Sequence, residues 1–126
     1  MTTTKLQGRW GEEKAAEYLR KKGYRITAMS YRTRMGEIDI IAENRKYLVF
    51  VEVKLRKSDT FAKAMEFVDR NKQRRLTLAA MQWLQHNPTA LQPRFDVIEI
   101  YAPSGMDTAR PVINHIKNAF EGQILK

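Results

Sequence analysis

Gly36-Glu37-Ile38-Asp39-Ile40-Ile41-Ala42, followed four residues later by Tyr47-Leu48-Val49-Phe50-Val51-Glu52-Val53-Lys54, is the stretch on which the fold turns. Both runs are rich in the β-branched and aromatic residues that suit a pleated surface, and both alternate. Ile38, Ile40 and Ala42 share one side of the first run, and Val49, Val51 and Val53 share one side of the second. Only Glu43 to Lys46 separate them, so an antiparallel hairpin is the simplest connection. Asp39 and Glu52 interrupt the two runs, and a carboxylate in an apolar strand is costly to bury unless something pairs with it. Opposed residues of a regular hairpin have numbers with a constant sum. Asp39 and Glu52 therefore face each other directly if the loop is Arg45-Lys46 or the four residues Asn44 to Tyr47. A three-residue loop would separate their faces unless a bulge restored the phase. Lys54, two residues after Glu52, shares its face in every case.

Outward from this hairpin the pattern is mixed. Residues 9–22 read as a helix, with Ala15, Ala16 and Leu19 at helical spacing, a cationic last turn and Gly23 as the stop. Tyr24, Ile26 and Ala28 alternate as a strand, and the polar stretch Ser30 to Arg34 leads to Gly36. Residues 61–85 return to helical spacing, with an interruption near Asp69 to Asn71. Leu76, Ala79, Ala80, Trp83 and Leu84 form the apolar stripe, and Asn87-Pro88 ends it. Arg94 to Tyr101 is an alternating strand, Ala102 to Asp107 is turn-like, and Val112 to Phe120 is a short apolar segment of no assigned type. Early hairpin connections and a later helical crossover predict an α/β architecture, a mixed central sheet flanked by helices.

The chain has 126 residues, 43% of them hydrophobic, with 6 Gly, 4 Pro and no linker-like tract, which predicts one domain over 1–126 with residues 1–7 as a flexible lead-in. The absence of Cys excludes a disulfide framework, Cys-ligated metals and a thiol nucleophile. No N-terminal apolar core of a signal peptide occurs, nor any apolar run near the ~18 residues of a membrane span, so the expected location is cytoplasmic, away from membranes. Charge points to a partner: 23 Lys and Arg against 14 Asp and Glu give a net charge of +9, the footprint of a nucleic-acid binder. Residues 20–34 hold six cations and no acid, and residues 54–75 hold eight cations and three acids. The two blocks bracket the carboxylate hairpin, and would draw a phosphate backbone toward acids that alone would repel it.

Two opposed carboxylates repel each other unless a cation lies between them. Mg²⁺ suits that place, since it takes one or two carboxylates together with waters and phosphate oxygens. A lysine on the same face can orient a water and offset charge on a phosphoryl group. The bland alternative is a same-face Glu52–Lys54 ion pair with Asp39 at a strand end, worth little energetically.

The ordered set Gly36-Glu37-Ile38-Asp39-Ile40-Ile41-Ala42, Val49-Phe50-Val51-Glu52-Val53-Lys54-Leu55-Arg56 and Arg94-Phe95-Asp96-Val97-Ile98 resembles the YraN family of uncharacterised bacterial proteins. That family is similar to the PD-(D/E)XK, or restriction-endonuclease-like, nuclease superfamily, and the resemblance runs from about Gly8 to Phe120. It implies a restriction-endonuclease-like αβββαβ core, with Asp39, Glu52 and Lys54 in the motif's aspartate, acidic and lysine positions. The Gly8-Arg9-Trp10-Gly11-Glu12-Glu13-Lys14-Ala15 segment resembles the family's N-terminal motif and implies Glu12, ahead of Glu13, as a further acid near the metal. Ile38 stands where the motif's proline would be, which weakens the match without removing a ligand.

The resulting expectation is a metal-dependent endonuclease acting on nucleic acid, with branched or single-stranded DNA favoured. Asp39, Glu52 and the Val53 carbonyl would hold Mg²⁺ or Mn²⁺, Lys54 would position water, and Glu12 would complete the site. Arg32, Arg34, Arg56, Lys57, Lys72, Arg74 and Arg75 are the expected nucleic-acid contacts, and Lys72 also reads as either an auxiliary site residue or a solvated helical lysine. A homodimer would suit two-strand cleavage. The alternative is a nucleic-acid-binding or adaptor module on the same fold with little or no catalysis.

Other features read as structural. Asp96 is expected to pair with Arg94 or an N-terminal cation, and His86 and His115 lack metal-ligand spacing. Trp10, Tyr31 and Phe61 suit core packing better than base stacking. Gly8-Arg9-Trp10-Gly11 matches the GXXG loop of KH domains only by chance, having no helix before it, and no G-x-S-x-G, Walker or dinucleotide motif occurs.

Overall fold

The Gly36–Lys54 stretch folds as a hairpin of β2 (Glu37–Glu43) and β3 (Tyr47–Arg56) in a computed structural model that describes residues 3–57 and 69–121. Ile40 pairs with Val51, Ile41 with Phe50, Ala42 with Val49 and Glu43 with Leu48, the register in which Asp39 and Glu52 fall opposite each other. The turn is Arg45-Lys46, closed by the Asn44 amide donating to the Tyr47 carbonyl at 3.0 Å. Neither turn residue takes a positive φ. The Asn44 side-chain oxygen instead accepts from the amides of Lys46 (2.9 Å) and Tyr47 (2.8 Å), an Asx turn that does the work a glycine would otherwise do.

Ahead of the hairpin come α1 (Thr3–Lys21) and β1 (Arg25–Arg32); after it come α2 (Arg70–His86), β4 (Gln92–Tyr101), a 3-10 turn at Gly105–Asp107 and β5 (Val112–Phe120). The five strands lie in the order β1-β2-β3-β4-β5. Only β3 and β4 are parallel, joined by the crossover that carries α2, so the sheet is mixed. Ala15, Ala16 and Leu19 of α1 pack with Ile40, Ala42, Val49, Val51, Ile98 and Ile100. Leu76, Ala79 and Ala80 of α2 pack with Ile38, Ile41, Phe50, Phe95 and Val97 on the opposite face. The expected α/β order is thus present, a helix on each face, with one strand more at the end.

Boundaries differ where neighbours decide them. The first helix starts at Thr3 and not Arg9, so residues 3–7, expected as a lead-in, are helical. Its first turns lie beside the 3-10 turn, where a Cβ on Gly105 would come 3.3 Å from Gln7 Nε2. It ends as expected: Gly23 takes φ 93°, and the Tyr24 amide donates back to Leu19. Of the predicted 61–85 helix, residues 61–68 lie outside the described residues. The remainder begins at the expected interruption, because Asp69 caps it by accepting from the Lys72 amide at 2.8 Å. The unassigned 112–120 segment is β5; Asn118, at φ 53°, breaks its alternation and hides it from pattern reading. Among the described residues no helix is long and apolar enough to cross a membrane.

Candidate active site

The two carboxylates meet because two strands lose their alternation on the same rung. Ile38 and Ile41, three residues apart, both face α2, whereas Ile40 faces α1. The phase therefore slips at Asp39. Across the β1–β2 ladder, Met29 pairs with Ile40 and Tyr31 with Ile38, leaving Ser30 on the Asp39 rung with φ 52°. Freed from strict alternation, Asp39 turns its side chain toward β3, where Oδ2 accepts the Val53 amide at 2.8 Å and the carboxyl meets that of Glu52. Burial, reinforced by the hydrogen-bonding contact and the charge of Glu52, pushes the Asp39 carboxyl up to about 9, against the lowering effect of the Val53 amide. Burial and the neighbouring Glu52 thus favour the protonated form of Asp39.

Glu52 is buried, and two cations converge on its Oε2: the Lys54 ammonium at 3.9 Å and, closer, that of Lys72 from the first turn of α2. The same-face projection of Glu52 and Lys54 is thus as the strand period required. Lys72 lies in the cluster too, on the wall of the same cleft and about one third exposed. The environments of the lysines differ. Burial lowers the Lys54 ammonium below the ordinary lysine range, helped by the Lys72 charge and opposed by Glu52. Burial also works to lower Lys72, but contact with Glu52 and the charges of Glu52 and Asp39 prevail and raise it. With Gly36, Glu37, Arg75 and Leu76, the residues Asp39, Glu52 and Lys72 line a cleft of about 200 Å³.

Glu12 stands close by on α1 without joining the pair. Its carboxylate accepts from Ser30 Oγ at 3.0 Å, and burial raises it, with the negative charges of Glu37 and Glu52 adding to the rise and Ser30 opposing it. Glu13 is exposed. Among the described residues no three His, Asp or Glu side chains converge as a metal-binding group. The donor set is nonetheless of the kind a hard divalent cation takes: two carboxylates in contact, one of them with a buried oxygen, Glu52 Oε2, that accepts no well-formed hydrogen bond. A strand residue directs its N–H and C=O toward the same neighbour, so the Val53 carbonyl also faces the gap occupied by Asp39. Water or phosphate oxygens would supply the remaining ligands.

The cations expected to touch nucleic acid divide into groups. Gly36 lies so close to α2 that a Cβ there would come 3.0 Å from the Arg75 carbonyl oxygen, and this contact brings the turn after β1 against the helix. Arg34 in that turn and Arg74 and Arg75 on α2 are exposed, and of these Arg75 lines the cleft. Arg32 is exposed but pairs with Glu37 at 3.5 Å, and Lys57 is exposed at the edge of the described residues. Arg56 is turned inward, with Nε 3.7 Å from the buried Glu99 carboxylate. Neither Ser30 nor Glu37 was a candidate; a serine between two strand residues carries no signal that it will hold an acid from another element.

The structural residues are equally definite. Asp96, fully buried, accepts from Arg94 Nε and an Arg94 terminal nitrogen (2.9 and 2.8 Å) and from the Asn118 amide (3.0 Å), with His115 Nε2 2.7 Å away. Its carboxyl is lowered because the His115 and Arg94 hydrogen bonds outweigh burial. Trp10 packs on the α1 side, Tyr31 lies edge-on to Trp83 at 5.2 Å, His86 caps its own helix through the Gln82 carbonyl, and Phe61 is outside the described residues.

Comparison with known proteins agrees on one family. A model of the uncharacterised protein family UPF0102 matches residues 11–100. A UPF0102 protein of Syntrophomonas wolfei is 44% identical over 114 residues, covering 90% of this chain and 96% of that one. Another, from Caldanaerobacter subterraneus, is 44% identical over 117 residues, covering 92% and 95%. A third, from Persephonella marina, is 40% identical over 117 residues, covering 92% and 94%.

Proposed function

The chain belongs to the UPF0102 family, and from that premise we propose that it is a metal-dependent phosphodiester hydrolase, an endonuclease of the restriction-endonuclease-like class acting on nucleic acid in the cytoplasm. The single observation that carries the reading is the meeting of Asp39, Glu52 and Lys72 at a cleft that Arg75 also lines, with Lys54 beside Glu52 and with Arg34 and Arg74 exposed on the neighbouring turn and helix. A purely structural acid pair has no need of a basic approach. A stability role is also a poor account of an aspartate whose burial works against its ionisation.

Asp39, Glu52 and the Val53 carbonyl would hold Mg²⁺ or Mn²⁺, which when bound supplies a Lewis acid to the phosphoryl oxygens. The protein's own groups do the rest. The arginines fix the phosphate backbone and so orient one phosphodiester over the carboxylates. Lys54 orients a water beside the carboxylates; the water oxygen forms a bond to phosphorus as the bond to the leaving oxygen breaks, the water's proton passing to solvent and the leaving oxygen taking one from solvent. Lys72 and the arginines offset the charge that builds on the phosphoryl oxygens.

Purified protein is expected to cut single-stranded or branched DNA with Mn²⁺ or Mg²⁺, to stop with chelator, and to lose cleavage in Glu52→Gln and Lys54→Met. Salt-sensitive binding without metal-dependent cleavage, unchanged in those variants, would instead establish a binding module. The internal neutralisation of Glu52 by two lysines favours that second reading.

A further inference from the structure

We propose that Lys72 is a positioning residue that guards Glu52: its ammonium covers the carboxylate oxygen a divalent cation needs, and a phosphodiester anion at the start of α2 draws it away, so metal binding follows nucleic-acid binding. This inference rests on the hydrolase reading above and adds an order of assembly to it.

Three observations carry it. Both lysines address one atom, Glu52 Oε2, and that buried oxygen accepts no well-formed hydrogen bond among the described residues. What holds it is charge, which another cation can replace. Next, Lys72 stands in the first turn of α2, a turn with no acidic residue, where the helix dipole favours anions and disfavours an ammonium. The Asp69 carboxylate already caps that helix end, so what draws a phosphodiester there is the exposed Arg70 and Arg74 on the same helix, while Glu52 and Asp39 hold the Lys72 ammonium in place. Finally, Gly36 packs so tightly on the Arg75 backbone that an added Cβ would come within 3.0 Å of its carbonyl oxygen, which seats this part of the helix closely on the turn after β1. The moving part is therefore the side chain, whose flexible four-carbon stem is about one third exposed, at 33%. Lys54 lies farther from the same oxygen, at 3.9 Å, so Lys72 is the cation that covers it.

The test is Mn²⁺ titration of the full chain, with free Mn²⁺ read by electron paramagnetic resonance and no turnover required. Lys72→Met is expected to bind Mn²⁺ about tenfold more tightly than wild type, the worth of one partly buried charge pair, while Lys72→Arg, which keeps a cation there, stays near wild type. Lys72→Gln repeats the measurement should the methionine variant fold poorly. A short single-stranded oligonucleotide, corrected for the Mn²⁺ it binds alone, is expected to tighten Mn²⁺ binding by the wild type and to do so much less for Lys72→Met. Glu52→Gln should abolish the binding in all cases. Equal affinity in Lys72→Met and wild type, with binding still lost in Glu52→Gln, overturns the guard and leaves the hydrolase reading intact. No Glu52-dependent Mn²⁺ binding in any variant, with or without oligonucleotide, overturns both.

Discussion

Replacing Asp39 by Asn should make the metal-free protein more stable, because the carboxylate is a burden the fold carries. Asp39 is held at about 9 when folded, by burial first and by the contact and charge of Glu52 second, against an unfolded value of 3.8. A carboxyl raised on folding binds more protons in the folded state than in the unfolded state between those values. Stability is therefore fully present below about pH 4 and is lost as pH rises toward 9, at up to about 1.4 kcal/mol per pH unit for one isolated group. Because Asp39 shares its environment with Glu52, a stabilisation of about 1–3 kcal/mol at pH 8 is the reasonable expectation for Asp39→Asn. The amide is isosteric: its oxygen can accept the Val53 amide as Oδ2 does, and its nitrogen can donate to Glu52 in place of the carboxyl proton. Urea denaturation in chelator would read this as a midpoint higher by about 0.5–1.5 M at pH 8, with the gap narrowing toward pH 5. A variant no more stable than wild type at pH 8, or a gap that widens on acidification, would refute the reasoning.

Other consequences are as definite. Metal must displace the Asp39 proton, so below pH 9 Mn²⁺ affinity should rise with pH, by up to about tenfold per unit, and calorimetry in buffers of different ionisation enthalpy should show close to one proton released per ion; a pH-independent affinity contradicts this. Gly36→Ala should cost about 1–3 kcal/mol in chemical denaturation, because the added Cβ meets the Arg75 carbonyl oxygen at 3.0 Å; a neutral result would mean that α2 can give way. Asp96→Ala should cost about 3–5 kcal/mol by leaving Arg94 buried without its partner. Its Mn²⁺ affinity should stay as in the wild type, since Asp96 lies on the α1 face, away from the cleft.

The hairpin and the Glu52–Lys54 pair were legible because they depend on local rules. The strand period put both side chains on one face, and the short Glu43–Lys46 connection permitted few registers, among them the one observed. Asp39 was legible as an intruder in an apolar run, but the slip that turns it toward Glu52 was not, because it needs Ser30 on a different strand to leave its own alternation on the same rung. Arg56 shows the opposite limit. Its place in a basic block suggested phosphate, and only the parallel register of β3 with β4 reveals Glu99 as its partner. Lys72 could be placed near the apolar stripe from spacing alone, whereas its reach to Glu52 depends on how α2 seats against Gly36. β5 escaped because Asn118 bulges where Asp96 takes its amide, and a pattern of period two does not survive that.

The central claim is that Asp39 and Glu52 form a metal-binding pair, and anomalous diffraction from a crystal soaked in Mn²⁺ tests it most directly. The account predicts one strong peak between the two carboxylates, within coordination distance of the Val53 carbonyl and with the Lys72 ammonium moved off Glu52. A well-ordered cleft with no peak there at millimolar Mn²⁺, or with Lys72 still seated on Glu52, would contradict it.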